Sequence, residues 1–180
     1  MSRTASFPPR SLLISGTVGA GKTSVAEAVG ALLAEARVPH AVLDLDALCR
    51  LWPAPPGDPF RTGLLALNLR DVAAHCLEAG ALVLVLAGVA EDAPDRERYA
   101  RAVGVPLSVC RLRVALPLVR DRLARRHAGE PAALDWHLDR CGELDAILER
   151  AGVEDFGVDV GPLTVAEVAS AVLDAWGLPR

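Results

Sequence analysis

The sequence predicts an α/β fold, a five-stranded parallel sheet with helices on both faces, and three observations carry that prediction. Apolar runs of strand length alternate with longer stretches of helical spacing along most of the chain, as parallel crossover units require. The strand runs are apolar throughout instead of alternating, most of all at residues 81–87, which suits strands buried on both faces. Finally, 52% of the 180 residues are hydrophobic, enough for one well-buried domain and too few residues for two.

The elements follow in order. Residues 1–10, with two arginines and the Pro8-Pro9 pair, read as a flexible leader, and residues 11–178 as a single domain. Residues 11–15 form the first strand. From Lys22 to Arg37, Val25, Ala28, Val29, Leu32 and Leu33 recur at helical spacing, and Pro39 follows. His40 to Leu43 is the second strand, running into Asp44-Leu45-Asp46. Residues 51–59 hold four prolines and a glycine, so they form a loop, one placed to wall a pocket. Thr62 to Glu78 is a helix, and residues 81–87 make a central strand. A short charged helix is expected over 91–101, a fourth strand over 107–114, and a helix with Pro117 just inside its start. His127-Ala128-Gly129-Glu130-Pro131 breaks that helix, so residues 117–133 read as a lid. Helix resumes over 134–151, a last strand spans 156–160, and residues 164–176 close the fold.

The most specific signal is Gly16-Thr17-Val18-Gly19-Ala20-Gly21-Lys22-Thr23, which fits G-x-x-x-x-G-K-[ST] between a strand and a helix that runs on through Ser24. Its glycines let backbone N–H groups converge on phosphate oxygens at a helix N-terminus, so residues 16–24 form the expected nucleotide cradle. Lys22 reaches the outer phosphates and Thr23 holds magnesium. Lys22 is also the only lysine among 19 basic residues, in keeping with a place where a compact ammonium fits and a guanidinium fork does not.

Asp44 and Asp46 sit at the C-terminal end of a strand, the edge where open α/β sheets bind ligands. Either can order magnesium or accept a proton from an acceptor hydroxyl; helix capping is the competing explanation for such a pair. Arg120, Arg122, Arg125 and Arg126 crowd the lid helix, and one of Arg122, Arg125 and Arg126 is expected at the phosphates. Arg70, with Asn68 nearby, is a candidate for holding the acceptor. Gly88, after the central strand, leaves room for a ligand or another backbone. Trp52 is a candidate for stacking on a substrate. The loop at Gly161-Pro162-Leu163 neighbours the expected base site and carries no distinguishing side chain.

A net charge of −4 and a pI near 5.6 exclude general attraction to nucleic acid or anionic membrane. Cys49, Cys76, Cys110 and Cys141 show no metal or disulfide spacing, no apolar stretch reaches membrane length, and a cytoplasmic monomer or homodimer is expected.

Taken together, the phosphate loop, the Asp44-Leu45-Asp46 pair and the arginine-rich helix after strand four resemble the small P-loop kinases, a group that includes shikimate kinase, gluconate kinase, adenylyl-sulfate kinase and the chloramphenicol phosphotransferases. The resemblance implies a three-layer P-loop NTPase fold, with ATP and magnesium as cofactors and a small-molecule acceptor. By position it implies Asp44 for magnesium, Asp46 for the substrate or as general base, and Arg70 for the substrate. Residues 86–90 lack both a Walker B aspartate and the consecutive glycines typical of shikimate kinase, and residues 44–50 lack the D-G-D-N pattern of adenylyl-sulfate kinase. The expected activity is transfer of the γ-phosphate of ATP to a hydroxyl, with Lys22, Asp46, Arg122 and Arg126 as candidate catalytic groups. The alternatives are a nucleoside monophosphate kinase and a regulatory ATPase without a small-molecule acceptor.

Overall fold

The computed structural model describes residues 7–178, and most of the expected leader lies outside them. Strands β1 (Arg10–Ser15), β2 (His40–Asp44), β3 (Val83–Ala87), β4 (Leu107–Arg113) and β5 (Phe156–Asp159) form one sheet in the order β2-β3-β1-β4-β5. Every pairing is parallel. Nineteen residues or more separate successive strands, as right-handed crossovers through helices demand.

Among the described residues seven helices connect or flank the strands: α1 (Lys22–Glu35), α2 (Leu45–Leu48), α3 (Thr62–Glu78), α4 (Ala93–Val103), α5 (Leu116–Arg126), α6 (Pro131–Ala151) and α7 (Val165–Trp176). They lie on both faces because successive strand residues point to opposite sides. Leu12 and Ile14 of β1 join Val83 and Val85 of β3 in a core shared with α1, α5, α6 and α7. Leu13, Leu84 and Leu86 face the other way, against α3 and α4.

Several boundaries differ from expectation for local reasons. Arg10 opens β1 instead of ending the leader; its guanidinium lies 4.2 Å from the Trp176 ring centroid, and Phe7 packs against the same core. Helix α4 starts after Asp92, whose carboxylate accepts from the Asp95 N–H, and stops at left-handed Gly104. Helix α6 begins at Pro131, a residue pre-set for the first turn, three positions earlier than expected. Helix α2, absent from the sequence reading, is a single turn nucleated by Asp44.

The register brings the site together. Asp44 and Ile14 both lie level with Ala87 of β3, and Ser15 lies level with Arg111 of β4. The chain therefore leaves β1, β2 and β3 along one edge of the sheet, carrying the phosphate loop, the aspartate pair and Gly88 with it.

Candidate functional site

The phosphate loop departs from β1 and returns as α1. Gly21, at φ 95°, precedes α1 without any side-chain cap, so the first N–H groups of the helix are left for an external acceptor. Gly19 sits at φ 80°, a conformation that favours glycine, and an added Cβ would press on α5 at 3.1 Å from Leu123 and from Val119. Helix α5 is thereby seated directly on the loop. Helix α6 touches it too, the Thr17 hydroxyl donating to the Cys141 carbonyl at 2.5 Å.

Lys22 folds inward and donates to the Thr17 carbonyl at 3.1 Å. Burial pulls its ammonium below the ordinary lysine value, and the carboxylates of Asp46 and then Asp44 oppose that pull. Asp44 is fixed at both oxygens. One accepts from the Asp46 and Ala47 N–H groups at 2.9 and 3.3 Å, and the other accepts from the Thr23 hydroxyl at 3.2 Å. One oxygen of this carboxylate thus caps α2 while the other meets the phosphate loop. The same cap turns Asp46 outward, where it is exposed.

Asp46 lines a 540 Å³ cleft with Cys49, Arg50, Leu51, Trp52 and Arg61. The proline-rich segment thus walls a cleft beside the aspartate. Its shape rests on two contacts: the Arg61 guanidinium donates to the Leu51 carbonyl at 2.7 Å, and Asp58 accepts from the Thr62, Gly63 and Leu64 N–H groups at the start of α3. Arg50 and Arg61 have no ion-pair partner among the described residues. Sequence reasoning passed over both; the available signal was their position, bracketing a loop already assigned to the ligand edge.

A second, 240 Å³ pocket lies over the phosphate loop between α5 and the β5–α7 connection, with Arg122 among its lining residues. Arg122 is half-buried, and Arg120, Arg125 and Arg126 are exposed on the same helix. None of the four has an ion-pair partner among the described residues; Glu130, the nearby acid, lies 3.6 Å from His127.

Two candidates stand elsewhere. Arg70 pairs with Asp71 and faces a groove between α3 and α4 that it shares with Arg98 and Arg101, so it is not among the residues beside Asp46. Asn68 donates instead to the Leu48 carbonyl at 2.6 Å. The space above Gly88 is filled by Leu45, whose Cδ1 lies 2.5 Å from where a Cβ would sit. The glycine admits neither a ligand nor a backbone but a side chain of α2.

Compared with solved structures, the chain matches the tunicamycin resistance protein of Deinococcus radiodurans with a TM-score of 0.62 and 23% identity, over 96% of this chain and 98% of that one. It has the fold of the small P-loop kinases. Shikimate kinase from Acinetobacter baumannii matches with a TM-score of 0.62 and 18% identity over 94% and 93% of the two chains. The APS kinase of Mycobacterium tuberculosis, solved with AMPPNP and APS, matches with a TM-score of 0.61 and 22% identity over 94% and 98%. No protein-family model and no curated protein sequence matches the chain. Among the described residues no helix is long and apolar enough to cross a membrane.

Proposed function

We propose that the protein is a phosphotransferase that moves the γ-phosphate of ATP to a hydroxyl of a small molecule. The observation that carries this reading is Asp44, bonded to Thr23 of the phosphate loop while its helix cap presents Asp46 to an adjoining cleft.

The roles follow from position. The uncapped N–H groups of α1 and Lys22 hold the donor phosphates. Thr23 and Asp44 offer one hydroxyl and one carboxylate, a donor set that fits magnesium, which keeps most of its coordination for water and phosphate oxygens. Among the described residues no cluster of three His, Cys, Asp or Glu side chains makes an all-protein metal cage, in keeping with an ion delivered with a nucleotide. Bound there, the ion neutralises charge on the phosphates. Asp46 accepts the proton of the acceptor hydroxyl, and Arg122 and Arg126 on α5 offset charge on the transferring group. Arg50 and Arg61 face the acceptor from the cleft. Four unpaired cysteines and a demand for ATP favour a cytoplasmic setting.

The two guanidiniums without ion pairs among the described residues, with Trp52 beside Asp46, favour a second reading, in which the acceptor is a nucleoside monophosphate. The test is magnesium-dependent ATP consumption over a panel of hydroxylated metabolites, nucleosides, nucleoside monophosphates and antibiotics, with native protein and Asp46→Asn. Stimulation by one acceptor, lost by at least about 100-fold in the variant, supports transfer with Asp46 as base. ATP binding with no acceptor dependence supports the regulatory ATPase instead.

A further inference from the structure

Position 17 is one that the phosphate-loop pattern leaves open, since glycines, a lysine and a hydroxyl suffice to cradle phosphates. In this chain it carries a threonine that is 2% exposed, with its hydroxyl and its carbonyl both engaged. The hydroxyl donates to the Cys141 carbonyl of α6. The carbonyl accepts twice, from the Ala20 N–H at 3.2 Å and from the Lys22 ammonium at 3.1 Å. Both of its lone pairs are thereby used, so a turn of this one peptide plane moves the loop and the lysine together.

The far end of the tie is firmly held. Cys141 is fully buried near the middle of α6, and one and two turns further on Asp145 and Glu149 pair with Arg111 of β4 at 3.0 and 2.8 Å. Arg140, beside Cys141, is bonded to Glu91 in the connection after β3. Backbone that is buried and paired at successive turns belongs to the least yielding part of a fold. Packing alone does not call for a hydroxyl at residue 17. A valine would be buried as well and need no partner, and the Cys141 carbonyl, lying mid-helix, also serves the helix ladder.

Lys22 has most to gain from the tie. Its flexible four-carbon stem leaves the place of the ammonium to whatever receives it, and here that is the Thr17 carbonyl. We infer that Thr17 is a positioning residue: its hydroxyl, anchored on α6, holds the loop peptide that seats the Lys22 ammonium. The consequence for phosphate binding rests on the proposed reading that Lys22 meets the donor phosphates.

Lys22 is the only lysine in the chain, so protein grown with isotope-labelled lysine gives a single lysine ε-methylene resonance by NMR. The spectrum is recorded on the full chain without nucleotide or metal. Thr17→Val, which keeps the bulk and removes the hydroxyl, moves that resonance toward the position of free lysine. Thr17→Ser and Thr17→Ala form a second pair, both lacking the methyl and differing in the hydroxyl. The Ser variant holds the resonance near its native position, the Ala variant shifts it as Val does, and this pair decides alone where Val does not fold. A hydroxyl that only supports the fold would lower Tm by about 2–4 °C and leave the resonance in place, which overturns the inference. A Ser resonance displaced as far as that of Ala overturns it too.

Binding of the non-hydrolysable imido analogue of ATP with magnesium supplies the second readout. It is about three- to tenfold weaker for Ala than for Ser, the loss of one hydrogen bond. Equal binding to both, where the native protein binds, overturns the inference as well. Because the resonance is read with no nucleotide present, the two readings separate. A hydroxyl-dependent resonance in a protein that binds no analogue keeps this inference and removes the kinase reading, and acceptor-stimulated turnover with a hydroxyl-independent resonance does the reverse.

Discussion

Gly88→Ala tests why a glycine follows β3. The added methyl would lie 2.5 Å from Leu45 Cδ1 and 2.9 Å from its Cγ, well inside van der Waals contact, and Leu45 is fully buried. Relief requires Leu45 to leave its rotamer or α2 to move, an overpacking cost of about 1–3 kcal/mol. In a chain of this size that lowers Tm by roughly 2–4 °C for each kcal/mol. Because α2 begins with Asp44 and contains Asp46, any shift also disturbs the bond to Thr23, so activity falls along with stability. The decisive assay is a double-mutant cycle in thermal or urea unfolding. Leu45→Ala alone leaves a cavity and costs about 2–5 kcal/mol, but the two together cost less than their sum, because the new methyl fills part of the space vacated. Additive losses, or a Gly88→Ala protein of native stability with weakened acceptor binding alone, would refute the packing argument and return Gly88 to the substrate.

Two further perturbations probe the scaffold. Arg111 is buried in β4 and pairs with Asp145 at 3.0 Å, Glu149 at 2.8 Å and Glu154 at 3.7 Å, tying α6 to the sheet; Arg111→Met should cost about 1–3 kcal/mol in urea unfolding through the lost charged hydrogen bonds to Asp145 and Glu149, Glu154 keeping Arg113 at 3.5 Å, whereas Glu149→Gln, at an exposed partner, should cost under about 1 kcal/mol. Asp58 has its carboxyl held below the usual range: desolvation pushes it upward, but N–H bonds from Leu64, Thr62 and Gly63, with the Thr62 hydroxyl, outweigh that. A depressed folded-state value stabilises above the unfolded value and fades as pH falls through the folded one, so the Tm gap between native protein and Asp58→Asn should be widest near neutrality and close below about pH 4.

What the sequence revealed was whatever depends on neighbours along the chain. The phosphate loop, the nearness of the aspartate pair to it, and the strand-helix alternation are all set by local spacing and by the strand ends that the parallel register aligns. Helix rotation is a tertiary quantity, and there the reading failed. Arg70 and Asn68 were grouped although residues two apart on a helix point in different directions. In the structure Asn68 turns to the Leu48 carbonyl and Arg70 to α4. Gly88 and Leu45 likewise meet only because β2 and β3 are adjacent, and a glycine's reason is not written beside it when the contact is remote in sequence. Arg61 escaped notice because its place in the cleft depends on the fold of the proline segment, which has no periodicity to read.

The distribution of charge gives the site its chemistry despite an acidic chain. Several arginines remote from the phosphate loop are committed to carboxylates: Arg96 to Asp155, Arg98 to Asp95, and Arg101 to Glu97. Arg50, Arg61 and Arg122 border the two openings beside the loop, and Arg120, Arg125 and Arg126 share a helix with Arg122; none of the six has an ion pair among the described residues. Collected guanidiniums without counter-charges raise the local potential for an anion in a chain whose net charge is −4. Gly19 lets Val119 and Leu123 pack α5 against the loop, so Arg122 borders the same pocket as the uncapped start of α1.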